Sequence, residues 1–534
     1  MIHLYMILTY RNRGRRWGSV LMGPREAADA ATRAATVTVD ERRPAAGGVA
    51  AQAVLALACA AQFMVVLDVS VVNVALPSIQ ASLGFDQGSE HWIVNGYALV
   101  FAGFLLLGGR LADLYGRKRI FLVGLALFAG SSLVGGLAGN LGTLVAARAT
   151  QGLGAAVLAP ATLTILTTTF REGAQRTRAL ATWTAVGAAG GAAGNLIGGV
   201  LTQFLSWRWI LLINVPIGAL AIVLAARYLV RDHRRDLGQR LDFPGAVLVT
   251  AGLASLSYGI TQTQTRGWSD VVAVSALGAG TVALAGFVVV EGRFARAPLI
   301  PLRLFRVRSV STGNVVMLLG GACLMPMWYF LSLFMQNVLH YGPWETGVGF
   351  LPHTLVIIVG SRLAPRVMEY VDARTLIVMG AAFAAVGFLW QGHISPDIDY
   401  LSGVLWPGLV ISAGGGLLIA PITTMVTSKV RESDAGAASG LMNTTKQVGG
   451  VLGLAVLVTV AEVGTTTPEA LTVGYGRAFL AIAGILGFVA VVALTLPSGV
   501  GRHRGPARGN SGRTVRRAHM PEESRHRAGR SRDD

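Results

Sequence analysis

The chain has 534 residues, of which 53% are hydrophobic and only 13% carry charge, and its mean hydropathy is +0.56. That balance excludes a soluble globular protein of this size and indicates one that crosses a bilayer many times. The formal net charge of +18 would suggest nucleic acid in a soluble domain; here the basic residues gather in short loops and two tails, where they set orientation in the membrane, and no specific nucleic-acid partner is expected.

A transmembrane helix needs about 20 mainly apolar residues, and runs of that order recur from Gly48 to Pro497. A barrel would show short alternating segments, so the expected fold class is an all-α polytopic bundle. Breaks of charge and turn residues predict fourteen helices, near 51–76, 91–108, 120–139, 143–167, 179–201, 209–229, 244–262, 271–290, 310–333, 346–363, 375–392, 403–425, 437–461 and 478–497. Arg110 to Arg119, Arg171 to Arg178, Arg227 to Arg240, Arg293 to Arg308, Arg362 to Arg374, and Lys429 with Arg431 fall in alternate loops, whereas the opposite loops hold only Arg208, Arg266 and Arg477. The basic side is cytoplasmic, and an even number of helices places both termini there. The Arg-rich tails, 1–47 and 498–534, are expected to be disordered, with affinity for anionic lipid headgroups. Met1 to Val20 lacks an adequate apolar region for a signal peptide. Cys59 and Cys323 lie in separate spans and imply neither a disulfide framework nor a metal site.

The first span contains Leu67-Asp68-Val69-Ser70-Val71-Val72-Asn73-Val74-Ala75-Leu76-Pro77. An acid inside a span costs about 2.5–3.5 kcal/mol on insertion scales and is a functional candidate by default, able to exchange a proton as a cavity opens to one side and then the other. An Asp that snorkels or caps a neighbouring helix is the other reading. Asn95 and Tyr97 follow in the second span. Gly109-Arg110-Leu111-Ala112-Asp113-Leu114-Tyr115-Gly116-Arg117-Lys118-Arg119 then reads as a tight connection. Asp113 can pair with a base or face a helix start, Gly116 permits a sharp turn, and Arg117 and Lys118 stay in the cytoplasm. An ordinary basic stop explains those charges, but not Gly109, Asp113 and Gly116 at this spacing.

The fourth span carries Leu144-Val145-Ala146-Ala147-Arg148-Ala149-Thr150-Gln151-Gly152-Leu153-Gly154. Arg148 stays protonated at any relevant pH, so it can stabilise a nearby carboxylate or serve a structural role against helix-end carbonyls. In the fifth span, downstream of Trp183, Gly187, Gly190, Gly191, Gly194, Gly198 and Gly199 form a small-residue face interrupted by Asn195. Ser206-Trp207-Arg208-Trp209-Ile210-Leu211-Leu212-Ile213-Asn214-Val215-Pro216-Ile217-Gly218 opens the sixth span, with Trp207 and Trp209 expected at the membrane interface. Trp328, Tyr329 and Gln336 mark the ninth span, and Asn443 to Gln447 the thirteenth, where Asn443 and Gln447 share a helix face and Lys446 adds a cation. Asn95, Tyr97, Gln151, Trp183, Tyr329, Gln336, Asn443 and Gln447 are candidates for a substrate cavity, although helix-to-helix hydrogen bonds account for such residues more often. Acids are scarce in the C-terminal half outside span ends and loops, which argues against a site for highly charged cations and suits lipophilic compounds.

No Gly-rich phosphate loop with its Lys, no His-Glu-x-x-His helix and no nucleophile triad is present. The nine His are scattered, with His91, His340, His353 and His393 near span ends as interfacial residues. No enzyme, cofactor or metal site is expected.

Together these strings resemble the major facilitator superfamily. Gly109 to Arg119 is similar to its loop signature G-x-L-x-D-x-x-G-R-K-R. The Asp68 string is similar to L-D-x-T-x-x-N-x-A-L-P, with Ser70 where Thr is usual, and Arg148 to Gly154 to R-x-x-Q-G-x-G. Gly190 to Gly199 resembles the antiporter signature G-x-x-x-G-P-x-x-G-G, with Asn195 in place of Pro, and Ser206 to Gly218 resembles S-W-R-W-x-F-x-I-N-x-P-x-G. Gly360-Ser361-Arg362-Leu363-Ala364-Pro365-Arg366 looks like a degenerate copy of the loop signature in a second half. Over residues 50–497 the chain is similar to the fourteen-helix drug and proton antiporter family. The resemblance implies two six-helix bundles, 48–230 and 310–497, with helices seven and eight inserted in 231–309. It implies proton coupling through Asp68 and Arg148, conformational gating at Gly109, Asp113, Gly116, Arg117 and Lys118, and close helix packing at Gly190, Gly194, Asn195, Gly198 and Gly199. The implied function is proton-coupled export of lipophilic drugs or antibiotics by alternating access. Its partners are a small lipophilic substrate, protons and the lipid bilayer of a bacterial plasma membrane, and the unit is a monomer. Asn195 leaves open a facilitator or exporter of a specific metabolite or lipid-like product, and the basic tails leave open a sensor or scaffold without transport.

Overall fold

The computed structural model describes residues 6–11, 17–22, 48–86, 89–170, 174–229, 242–295, 298–300, 302–427, 430, 435–462 and 467–497. The first helices are α1 (Gly48–Leu83), α2 (His91–Tyr115), α3 (Arg117–Gly136), α4 (Leu141–Thr169), α5 (Ala174–Phe204) and α6 (Trp209–Tyr228, broken at Ile213). After them come α7 (Phe243–Arg266) and α8 (Val271–Val289), then α9 (Arg308–Asn337), α10 (Pro343–Val367), α11 (Ala373–Gln391), α12 (Trp406–Thr427), α13 (Ala435–Ala461) and α14 (Pro468–Ala493). Among the described residues thirteen spans are long and apolar enough to cross a membrane, and α2, 25 residues long, contributes a further described apolar stretch at His91–Leu105.

Two readings of the sequence change here. The Gly109 to Arg119 string is not a loop: Gly109 to Tyr115 are the last turns of α2, and the chain turns only at Gly116, whose φ of 91° suits glycine. A helix leaving the bilayer can carry charge without ending, so composition marked the wrong boundary. The Gly360 to Arg366 string likewise lies inside α10. The first span, read as ending at Leu76, continues through Pro77 to Leu83. Proline cannot donate to the carbonyl four residues earlier, and in membrane helices such a break persists when neighbouring helices satisfy the freed group. That carbonyl belongs to Asn73, and it accepts from Ser332 Oγ of α9 at 2.8 Å.

Helices α1–α4 and α6 pack around Leu57, Met64, Phe121, Leu125, Phe128 and Leu158, and α5 packs along α1. Helices α9–α14 pack around Val310, Leu376, Met425, Leu441 and Val489. A third cluster, with Val72 and Leu76 of α1, Phe330 and Phe334 of α9, Phe388 of α11 and Phe479 of α14, joins the two sets at the end remote from the start of α1. Helices α7 and α8 lie against each other, and α7 also packs on α2 and α13. There Asn95 Nδ2 donates to Ser257 Oγ at 3.4 Å.

Outside the bundle, Met6–Arg11 and Trp17–Met22 pair as an antiparallel ribbon, with Met6 opposite Met22 and Arg11 opposite Trp17. This corrects the expectation of disorder for that part of 1–47, because both segments mix aliphatic, β-branched and aromatic residues that favour pairing. The rest of 1–47, the 230–241 linker and the 498–534 tail lie outside the described residues.

Candidate functional site

Asp68 is fully buried within α1, and five helices meet around it. Its Oδ2 is ion-paired with Nη1 of Arg148 on α4, itself 2% exposed. Its Oδ1 accepts hydrogen bonds from Gln151 Nε2 at 2.7 Å and from Asn214 Nδ2 of α6 at 2.9 Å. The same two amides donate to Ser132 Oγ of α3, at 2.7 and 3.3 Å. Arg148 also donates from Nε to the Ile93 carbonyl of α2 at 3.3 Å and from Nη1 to Gln151 Oε1 at 2.6 Å, and its Cζ lies 4.5 Å above the Tyr97 ring.

Local sequence builds this cluster. Arg148 and Gln151 are three residues apart and share one face of α4. Gly152, beside them, lets α4 approach the Tyr97 backbone so closely that a Cβ would overlap the Tyr97 carbonyl. Asn214 reaches Asp68 from the first turn after the break in α6. Of the groups bonded to Asp68 only Arg148 is a cation, so the two charges compensate each other inside the bundle.

Arg148 and Tyr97 form one wall of a cavity of about 1110 Å³ between the two helix sets. Of the sequence candidates, Asn95, Tyr97, Tyr329 and Gln447 line it, together with Trp328, Asn195 and Lys446. The others do not. Gln151 sits behind Arg148, Gln336 donates to the Val74 carbonyl at 2.9 Å, Trp183 is half-buried outside the lining, and Asn443 is exposed. The stripe of α13 facing the cavity runs through Lys446, Gln447, Gly450 and Leu454, so of the face predicted from Asn443 and Gln447 only Gln447 reaches it.

The far end of the cavity is closed by contacts between the helix sets. Ser332 and Gln336 bond the Asn73 and Val74 carbonyls, and Tyr329 donates to Glu90 Oε1 at 3.1 Å. On α5, Gly194 and Gly198 press against Ser70 and Val71 of α1, Gly190 against Phe63, and Gly199 against Pro343 of α10. Asn195 is buried there, its carbonyl against Gly347 and its Oδ1 without a hydrogen-bond partner, and α5 continues unbroken through it. Arg362, exposed, and Val489 line the cavity at its opposite end.

In the last turns of α2, Gly109 faces Pro160 of α4. Lys118 Nζ donates to the Ala226 and Leu229 carbonyls, both at 2.6 Å, at the end of α6. Arg117 opens α3. The Asp113 side chain lies outside the described residues.

Sequence reasoning missed Ser132 and Asn214 as partners of Asp68. An Asn between Ile213 and Val215 in an apolar span was a usable signal; a single Ser was not. It also put Trp207, His91 and His353 at the interface, yet all three are buried. Trp207 joins the far-end core, and His353 approaches the Gly349 and Val404 carbonyls at 3.1 and 3.2 Å.

The sequence pattern of the Major Facilitator Superfamily matches residues 58–454. The cephamycin export protein CmcT of Amycolatopsis lactamdurans is 54% identical over 447 residues, covering 83% of this chain and 92% of that protein. The puromycin resistance protein pur8 of Streptomyces alboniger is 40% identical over 457 residues, covering 83% and 90%. Among solved structures, the nucleoside transporter NupG superposes with a TM-score of 0.58 at 12% identity, covering 82% of this chain and 99% of that one, a likeness of fold alone. The chain is therefore a multi-pass membrane transporter and belongs to the major facilitator superfamily, alongside its fourteen-helix drug and proton antiporters.

Proposed function

We propose that the protein exports amphipathic, antibiotic-like small molecules across the bacterial plasma membrane by alternating access, in exchange for protons carried by Asp68. It works as a monomer with both termini in the cytoplasm. The observation that carries this reading is the buried Asp68–Arg148 pair in the wall of a cavity large enough for a drug-sized molecule. The relatives named for cephamycin export and for puromycin resistance support the substrate class.

In this orientation the contacts at Ser332, Gln336 and Tyr329 seal the outside, and the conformation described faces the cytoplasm. Substrate enters past Arg362 while Asp68 holds Arg148. The helix sets then rock about the cavity, with the last turns of α2 at Gly109 and Asp113 and the turn at Gly116, Arg117 and Lys118 latching the cytoplasmic side. After substrate leaves, Asp68 takes a proton from outside, releases Arg148 and favours the return. The close packing of Gly190, Gly194, Asn195, Gly198 and Gly199 on α1 and α10 limits leak at the outer seal. Asn195 and the unbroken α5 favour a second reading, a facilitator or exporter dedicated to one metabolite.

Everted membrane vesicles test the two. Respiration-driven accumulation of puromycin and of a cephamycin that collapses with a protonophore supports proton-driven export. Counterflow indifferent to protonophore favours the facilitator.

A further inference from the structure

We infer that the cavity selects amphipathic organic anions, and that Lys446 is the group that takes the substrate's carboxylate. This deepens the export reading and rests on it only for the direction of movement.

Three cations line the cavity, Arg148, Lys446 and Arg362, and no acid or histidine does so among the described residues. Their circumstances differ. Arg148 is already bound to Asp68. Arg362 is exposed at the end opposite the seal, where a positive charge draws anions toward the entrance. Lys446 stands near the middle of α13, half-buried, with no hydrogen bond or ion pair among the described residues. Cations at that depth are expensive and pair as a rule with an acid or with carbonyls, so one that faces an open cavity without a partner indicates a charge supplied by a ligand.

The surroundings suit the rest of such a molecule. Beside Lys446, the Gln447 side chain is buried with its Oε1 unpartnered, and across the cavity the Tyr97 hydroxyl is also buried without a partner. Leu324, Met325, Trp328 and Ile411 supply an apolar wall for a hydrophobic body. A permanent cation would meet the like charges of Lys446 and Arg362 with no acid to offset them, so the same wall that accepts a carboxylate disfavours a quaternary ammonium or phosphonium ion.

The test is equilibrium binding to the purified full-length protein, using cephalothin, an amphipathic monocarboxylate, its neutral methyl ester, and tetraphenylphosphonium. The acid should bind about 10-fold or more tightly than the ester, the increment of a charge-assisted hydrogen bond. Lys446→Met should remove that preference while keeping ester binding, which also shows that the variant folds, and Lys446→Arg should retain it. Equal binding of acid and ester by the wild type, preference for tetraphenylphosphonium, no saturable binding of the acid, or a preference that survives Lys446→Met would each overturn the inference. Flux in everted vesicles separates it from the export reading. Lys446-dependent anion binding without proton-dependent flux would leave the selectivity in place and refute proton-driven export.

Discussion

The Asn73 carbonyl, left without its helical donor by Pro77, accepts a 2.8 Å hydrogen bond from Ser332 of the opposite helix set. A proline in α1 thus creates a site on which α9 can latch, and Gln336 doubles it at Val74. Ser332→Ala with Gln336→Leu removes both bonds, each worth about 1 kcal/mol. The population facing outward should rise by roughly 5- to 30-fold. Labelling of Asn73→Cys by an impermeant maleimide from the outer face should accelerate accordingly, and an unchanged rate would show that the latch carries no weight.

Arg148→Leu strands a fully buried carboxylate. Loss of one partner from a buried pair costs about 3–5 kcal/mol, so the purified variant should melt well below the wild type. Adding Asp68→Asn should restore most of that stability without restoring proton-coupled transport. Recovery of coupling in the double variant would show that the pair is structural only.

Asn214→Leu takes one donor from the ionised carboxylate of Asp68. A hydrogen bond to a charged group is worth about 1.5–3 kcal/mol, and its loss leaves Asp68 less firmly held against Arg148. Substrate-evoked proton release should fall by roughly 10-fold at equal expression. Release equal to that of the wild type would mark Asn214 as a packing residue.

A Cβ on Gly198 would sit 2.8 Å from the Val71 carbonyl, whereas one on Gly191 would come no closer than 3.6 Å to a Val66 methyl. Gly198→Val should cost roughly 1–3 kcal/mol in strain or separate α1 from α5. Gly191→Ala should be tolerated in expression, melting temperature and flux. Equal tolerance of both would refute the close α1–α5 contact.

If the substrate is a monoanion exchanged for one proton, each cycle moves two charges in the direction the membrane potential favours, about 4.6 kcal/mol per 100 mV. Cephalothin uptake into everted vesicles should therefore respond to a lumen-positive potassium diffusion potential imposed without a pH gradient. Uptake blind to that potential would contradict anion export.

Much of the site was legible as charge in the wrong place. Asp68 and Arg148, 80 positions apart, each interrupt an apolar run, and the cost of burying either alone made a pairing the natural expectation. What surrounds them was not legible. Whether Asn214 meets Asp68 depends on where α6 breaks, and whether Trp207 faces lipid or core depends on how the start of that helix docks, neither of which is encoded in local hydropathy. The helical end of α2 and the run through Pro77 escaped for a related reason. Glycine, charge and proline mark helix ends in water, but a packed membrane helix can carry them onward. Lys446 was visible as a cation; that nothing among the described residues pairs with it required the fold.

The central claim, coupling at Asp68, is tested most directly by a preset pH gradient, acid inside, in inside-out vesicles containing wild type or Asp68→Asn. Added cephalothin or puromycin should release luminal protons through the wild type and not through Asp68→Asn at equal expression. Substrate-evoked proton release that persists in Asp68→Asn would contradict the account.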